Sequence, residues 1–344
     1  MNNYIQNICK KFQINEIKKY FEDMAKLNVL VIGDIIIDDY VFVRPKGRAI
    51  KDPILSVEYR NRERYAGGIL AVANHLSSFV NNIKILSIIG EEHSEEEFIM
   101  QSLSKNIEFK SFTKPGSPTT VKKRFIDKKR DNKLFKIEYM NDNPIDEELT
   151  NSILLFLDEE LPKYDLVVVG DFGHGFINDQ IRRKIEAKAK YMALNVQSNS
   201  ANMGYNYFNL YKKFNYLTMD EQELRLPFSH RFENVEEIAI KAFDSYKMKF
   251  LVTRGPGGCM FINKEGKIFN APILISNVKD TVGAGDAVFA ISTLFSYFNA
   301  NDELMPFIAN CAGGISANFM GNKESVSKEK LLKFLEEIYK NGME

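Results

Sequence analysis

The sequence predicts an α/β fold: a three-layer α/β/α domain with a mainly parallel central sheet and a small projecting β sheet. Three observations predict it. Several short runs are almost wholly apolar and β-branched, as strands buried on both faces are, and residues 28–37 form the clearest. Helical patterns separate most of these runs, so the strands alternate with helices in the manner of parallel sheets. Two longer stretches, 40–65 and 109–139, break the rhythm. They alternate apolar with charged residues, as in Val57-Glu58-Tyr59-Arg60, which marks strands with one wet face.

In chain order, residues 1–27 read as a helical extension, because Ile5, Ile8, Phe12, Ile17, Tyr20 and Phe21 recur at roughly helical spacing. The body follows as one domain, 28–344. After the first strand, buried strands are expected at 83–89, 165–169, 191–195, 216–219 and 250–253. Helices are expected at 68–79, 94–104, 147–161, 179–188 and 235–246, and the C-terminal third is mostly helical, at 284–298, 303–319 and 328–340. The two alternating stretches read as a single lid-like sheet or dimer clasp.

Composition excludes several functions. The 344 residues carry 46 Lys plus Arg against 46 Asp plus Glu, so no global charge argues for nucleic acid or a membrane surface. No apolar run is long enough to span a bilayer, and the polar N-terminus lacks a signal-peptide core. Cys9, Cys259 and Cys311 are widely spaced, form no metal or redox motif, and fit a reducing cytoplasm. Four scattered histidines argue against a zinc site.

The chemistry-bearing motif is Asp280-Thr281-Val282-Gly283-Ala284-Gly285-Asp286. A small-residue turn feeding a helix brings backbone N–H groups to one spot, where the helix N-terminus adds positive potential. Asp286 stands beside it. Amides that hold phosphate oxygens, with a carboxylate to take a hydroxyl proton, are what phosphoryl transfer to an alcohol needs. The plain alternative is a tight connection.

Other candidates lie where strands end, outside the carboxyl edge of the sheet. Asp34 and Asp38 suit sugar hydroxyls or are turn and cap residues. Gly67-Gly68 lets a ligand approach a helix start or is a tight loop. Thr120, Lys122 and Arg124 alternate, so that two cations share one face and suit an acceptor phosphate, or form a solvated basic strand. Asp171, in Asp171-Phe172-Gly173-His174-Gly175, and Asn195, in Asn195-Val196-Gln197-Ser198-Asn199, are further acceptor-side candidates. Asp220 and Glu223 suit Mg²⁺ held through water, or cap a helix. Thr253-Arg254-Gly255-Pro256-Gly257-Gly258 fits a hairpin beside a nucleotide.

Taken in order, these pieces resemble the ribokinase-like carbohydrate kinases of the phosphofructokinase-B type, over about residues 28–340. The resemblance implies that Asp286 is the general base and that Gly283, Ala284 and Gly285 form the anion hole. It implies that Asp34, Asp38, Gly67 and Gly68 lie at the acceptor. ATP would sit near Thr253, Arg254, Gly255, Gly258, Asp280 and Asn310, with Mg²⁺ held through water by Asp220 and Glu223. It further implies a cytoplasmic enzyme that pairs into a homodimer through the lid. Within the family, the chain looks most like the kinases that phosphorylate a heptose 7-phosphate at its anomeric hydroxyl. Those are often fused to a nucleotidyltransferase domain, which this chain is not expected to hold. The acceptor end departs from that pattern. Ala71 replaces an asparagine, Asp220 begins the usual Asn-x-x-Glu motif, Asn195-Val196-Gln197 stands for Asp-Pro-Lys, and His174 stands for a lysine. Two other readings remain: a kinase for another small alcohol such as a nucleoside, and a non-catalytic sugar- or nucleotide-binding protein on this fold.

Overall fold

Two helices, α1 (Asn2–Lys11) and α2 (Ile14–Met24), precede the first strand and bury Ile8, Cys9, Ile17, Phe21 and Met24 against the body. Phe21 packs its ring on Phe79 and Phe295, at centroid distances of 5.5 and 6.0 Å. The computed structural model describes residues 2–200, 202–275 and 278–343. Met1 of the expected extension and Glu344 at the end of the domain lie outside them.

The chain then runs β1 (Asn28–Gly33), β2 (Ile35–Arg48), β3 (Leu55–Gly68), α3 (Ile69–Leu76), β4 (Asn82–Glu92), α4 (Glu96–Ser102), β5 (Ile107–Pro118), β6 (Val121–Asp127) and β7 (Asn132–Tyr139). It continues with α5 (Glu147–Glu160), β8 (Leu166–Asp171), α6 (Asp179–Lys188), β9 (Met192–Val196), β10 (Tyr216–Asp220), α7 (Glu221–Arg225), α8 (Val235–Tyr246) and β11 (Lys249–Thr253). The last part is β12 (Cys259–Ile262), β13 (Ile268–Ala271), α9 (Ala284–Tyr297), α10 (Leu304–Ser316) and α11 (Lys328–Met343).

Nine strands form the main sheet in the order β13-β12-β11-β10-β9-β8-β1-β4-β5, parallel except at one edge, where β12 runs antiparallel to both β11 and β13. Each face carries its own apolar core. On one side α2, α3, α9, α10 and α11 bury Phe21, Leu70, Phe289, Phe307 and Leu335; on the other α5, α6 and α8 bury Leu157, Ile185 and Ile238. The three layers follow directly from strands that are apolar on both faces. Among the described residues no helix is long and apolar enough to cross a membrane. Cys9, Cys259 and Cys311 are buried and unpaired.

The second sheet, β3-β2-β6-β7, projects from the carboxyl end of β1. Its composition corrects two expectations. The apolar run 28–37 is not one strand: it breaks after Gly33, whose φ of 152° and whose crowding against the Gly170 carbonyl no side chain tolerates. Both halves are buried, so hydrophobicity hides the break. Nor does 109–139 belong wholly to the projecting sheet. Residues of β5 pair in parallel with β4 as the edge of the main sheet, and an edge strand alternates for the same reason a lid strand does.

Candidate active site

The turn before α9 sets the centre of the site. Gly283 has φ 85° and caps the helix; a Cβ there would lie 1.9 Å from Asn322 Oδ1, so only glycine fits. Gly285 differs, since a Cβ there would meet open space, and the missing side chain leaves room for a ligand. Val282 N donates to Asp280 Oδ1 and Ala284 N to the Thr281 carbonyl at 3.2 Å. The N–H groups of Gly283, Gly285 and Asp286 have no acceptor among the described residues. Open donors at a helix N-terminus attract an oxyanion through both hydrogen bonding and the helix dipole. The open donors are therefore those of Gly283, Gly285 and Asp286, while Ala284 N, expected among them, is already bonded to the Thr281 carbonyl.

Asp286 is buried, and Gln197 Nε2 donates to its Oδ1 at 3.0 Å while also donating to Asn195 Oδ1 at 2.9 Å. Burial pushes the Asp286 carboxyl up to about 7; Gln197 pulls the other way, and the charges of Asp38 and Lys122 oppose one another across it. A carboxylate that gains its proton near neutrality is matched to taking one from an alcohol.

The cleft face of the projecting sheet covers this centre. Strand register puts Asp38, Lys122 and Glu138 in one row and Tyr40, Arg124 and Lys136 in the next. Arg124 hydrogen-bonds Asp38, and Lys136 reaches Glu138 at 3.0 Å and Ser200 Oγ at 2.8 Å. Lys122 is 7% exposed and has no hydrogen bond or ion pair among the described residues. Burial lowers its ammonium pKa, while Glu138 and Asp38 work against that shift.

At the neighbouring strand ends, Asp34 Oδ2 accepts from Phe172 N at 2.9 Å and from His174 N at 3.3 Å. Its Oδ1 is buried without a partner, and it faces a small polar cavity with Lys114, Thr120, Asn141 and His174. Burial, with the charge of Asp171 beyond, raises Asp34 to about 7. His174 is held neutral, its pKa lowered to about 4 chiefly by burial; Nδ1 meets Asp142 Oδ1 at 2.9 Å and Nε2 lacks a partner. Gly67 and Gly68 make room for the Asp38 carboxylate and the Asp34 carbonyl. Asp171 does not face the cleft. It takes hydrogen bonds from Tyr211 Oη, Gly173 N and Asn206 Nδ2, which fix the loop after β8.

On the other side of the anion hole lies a cleft of about 670 Å³, lined by Asn195, Asp220, Glu223, Thr253, Gly255, Gly258, Ala284, Gly285 and Asn310, with apolar walls from Ile273, Ile275 and Val278. Its size and mixed lining suit a nucleotide. Two of the residues expected there are elsewhere. Arg254 turns to Glu221, at 3.5 Å, and Asp280 turns to the projecting sheet. Asp220 and Glu223 form a capping box: Glu223 N donates to Asp220 Oδ1 at 2.7 Å, and Asp220 N to Glu223 Oε2 at 2.8 Å. Burial raises Glu223 to about 8, and its two oxygens already accept from Ser198 N and Asp220 N, which makes it a poor cation ligand. Asp220 is exposed with one oxygen left over. No cluster of three metal-ligating side chains exists among the described residues. This donor set fits a cation that keeps its waters and sits mainly on phosphate oxygens, as Mg²⁺ does.

Gln197 was named in the sequence only within its amide-rich run, with no role toward Asp286, and Glu138 and Lys136 were not among the site candidates. Gln197 carries no charge and follows a strand like many loop amides, while Glu138 and Lys136 depend on register with β6.

The sequence matches the pfkB family carbohydrate kinases over residues 26–295. Among curated proteins it is similar to the bifunctional protein HldE of Helicobacter pylori (strain Shi470), 24% identical over 300 residues, covering 86% of this chain and 63% of that protein. It is also similar to HldE of Histophilus somni, 25% identical over 307 residues, 88% of this chain and 62% of that one. The chain thus spans less than two thirds of the length of these relatives. Its fold resembles phosphofructokinase-2 of Escherichia coli in complex with potassium, with a TM-score of 0.71 at 15% identity over 91% of this chain and 99% of that one. It also resembles Arabidopsis thaliana ribokinase complexed with ribose and ATP, with a TM-score of 0.67 at 16% identity, covering 90% and 98%. A match over most of the chain, on a site with open amides at a helix start, a buried carboxylate and a nucleotide-sized cleft, shows that this protein belongs to the pfkB family of carbohydrate kinases.

Proposed function

We propose that the protein transfers the γ-phosphoryl group of ATP to a hydroxyl of a sugar or sugar phosphate, with Asp286 as the general base. The observation that carries this is the buried Asp286 carboxylate beside the open N–H groups of Gly283 and Gly285. Asp286 accepts the proton as the acceptor oxygen attacks phosphorus; the bond to the bridging oxygen breaks, ADP leaves, and the proton passes to solvent. The open amides and the helix dipole hold the transferring phosphoryl oxygens. A magnesium ion bound with the nucleotide supplies charge neutralisation there, and Asp220 is the group of this chain placed to hold its waters. The projecting sheet keeps water from competing with the acceptor.

The acceptor we propose is a heptose 7-phosphate, phosphorylated at its anomeric hydroxyl. The likeness of the chain as a whole to the HldE proteins supports it, although the acceptor end departs from that pattern, and so does Lys122, a buried ammonium with no partner on the cleft face among the described residues. Arg124 and Lys136 are already paired with carboxylates, so Lys122 is the cation left for a phosphate. The test is ADP release and product mass with seven-carbon sugar phosphates, their unphosphorylated forms, and nucleosides. Highest kcat/KM on a heptose phosphate is the expected result. Preference for a nucleoside moves the assignment to another alcohol kinase; ATP binding with no transfer to any acceptor moves it to a binding protein.

The outer face of the projecting sheet is the surface we assign to a homodimer. Phe125 and Phe135 stack there at 4.5 Å, and Phe135, Ile137 and Tyr139 are 45, 42 and 46% exposed. Sedimentation of the Ile137→Glu variant as a monomer, against a dimeric wild type, is the expected outcome.

A further inference from the structure

Strand β7 contains an irregularity that decides where one lysine points. Phe135 pairs with Phe125, but Ile126 pairs with Lys133, so Leu134 is an extra residue without an opposite number. In a regular strand Lys133 shares a face with Phe135, on the outside. The bulge returns it to the cleft face, in line with Lys136 and opposite the fully buried Ile126.

There Lys133 Nζ meets Asp280 Oδ1 at 2.7 Å. Asp280 is a junction. The same oxygen accepts from Val282 N at 3.1 Å, in the turn that supplies the anion hole. The other oxygen accepts from Tyr40 Oη at 3.2 Å, in β2, and from Gly321 N at 3.0 Å, beside the Asn322 that fills the space next to Gly283. Four donors from four parts of the chain converge on one carboxylate that is 5% exposed at its side chain. Burial alone would raise this carboxyl; Lys133 and the N–H groups of Val282 and Gly321 outweigh it and hold it below the usual carboxylate range. Tyr40, Phe42, Tyr65 and Ile126 pack with Met320 around the junction and keep water away from it.

We propose that Lys133 is a positioning residue: through Asp280 it ties the tip of the projecting sheet to the 280–286 turn, so that the sheet's seat on the cleft and the shape of the anion hole are set together. A buried carboxylate that loses its only ammonium partner keeps its desolvation cost and moves toward other donors or water, and its hold on the turn loosens. The consequence for turnover rests on the phosphotransferase reading above; the mechanical tie does not.

The experiment compares wild type with Lys133→Ala, Lys133→Arg and Tyr40→Phe. The first readout is amide hydrogen exchange without substrates in the 281–286 turn, at Val282 and Ala284, whose N–H groups are bonded there. Lys133→Ala is expected to speed exchange there by roughly tenfold, although Lys133 lies 147 positions earlier in the chain, and Lys133→Arg to restore protection. The second readout is kinetic. Lys133→Ala is expected to lower kcat by about tenfold with KM for ATP changed by less than about threefold, and to raise the share of ATP hydrolysed without acceptor. Tyr40→Phe is expected to move both readouts in the same direction and by less, because it removes a neutral donor. Unchanged exchange and unchanged kcat in Lys133→Ala overturn the proposal, as does a variant whose only change is a lower melting temperature. Should Lys133→Ala fail to fold, Lys133→Gln keeps the stem and is read the same way. A wild type inactive on every acceptor sinks the kinase reading alone, since exchange is measured without one.

Discussion

At the end of the cleft proposed for the nucleotide, Thr253, Gly255, Asn310 and Gly285 present uncharged side chains and backbone; at the end proposed for the acceptor, Asp38, Lys122, Arg124, Lys136 and Glu138 present charge. The two ends also differ in support. Gly283, Gly285 and Asp286 belong to the start of α9, whose body is buried in the main core, whereas the charged groups sit on three strands, β2, β6 and β7, of the sheet that projects from it. Backbone amides on a packed helix suit what every such transfer shares, the phosphoryl group of the donor. Side chains on a projecting sheet recognise what differs between acceptors, and they are altered at little cost to the fold.

That contrast can be broken most severely at its boundary. Asp286→Asn is expected to lower kcat by a factor on the order of 10²–10⁴, the worth of a positioned base, with ATP binding retained in a calorimetric titration. The same change tests the electrostatics. The Asp286 pKa is raised in the fold to about 7, so the folded state holds a proton that the unfolded chain releases near pH 4. Its contribution favours folding at low pH and is lost as pH rises toward 7. Asp286→Asn is therefore expected to raise the melting temperature at pH 8 and to do so less at pH 5. Wild-type kcat/KM is expected to fall on the acid side with an apparent pKa near 7.

The glycines separate shape from space. Gly283→Ala is expected to destabilise by about 1–3 kcal/mol, from positive φ and the clash with Asn322, and to be seen in denaturant unfolding. Gly285→Val is expected to leave stability within about 1 kcal/mol yet raise KM for ATP by at least about tenfold, because its side chain enters open cleft. Equal stability losses at both positions would contradict the division.

The acceptor end gives a smaller and more selective effect. Lys122→Met is expected to raise KM for a sugar phosphate by about 10–100-fold and KM for ATP by less than about threefold. An equal rise for the unphosphorylated sugar would remove Lys122 from phosphate recognition. The mildest change is Gln197→Leu. The hydrogen bond from Gln197 lowers the Asp286 pKa, so its loss raises it, and the acid limb of the rate profile is expected to move up in pH. At pH 7 kcat is expected to fall by roughly 3–10-fold.

Much of this was legible in residue order. The 280–286 string carries its chemistry locally: glycine permits the turn, the apolar run makes the helix, and a helix start leaves amides open whatever surrounds it. The buried parallel strands and their helices were legible for the same reason, since each announces its own burial. The acceptor side was less so. Asp34, Asp171 and Asp220 all end strands and look alike in sequence, yet one faces a cavity with an unpaired oxygen, one is fully bonded inside, and one caps a helix. The family resemblance placed Arg254 and Asp280 at the nucleotide, and their side chains pair instead with Glu221 and with Lys133 of the projecting sheet.

The sequence by itself determined the alternation of strand and helix, the apolar faces, and the turn that opens α9, because these depend on neighbours within a few residues. Tertiary structure alone decided where the run 28–37 divides between two sheets, which edge β5 joins, how one bulged residue turns Lys133 inward, and how Gln197 comes to rest on Asp286. Those outcomes depend on strand pairing and on partners tens to hundreds of positions away, and hydrophobic pattern is blind to which buried partner a segment finds.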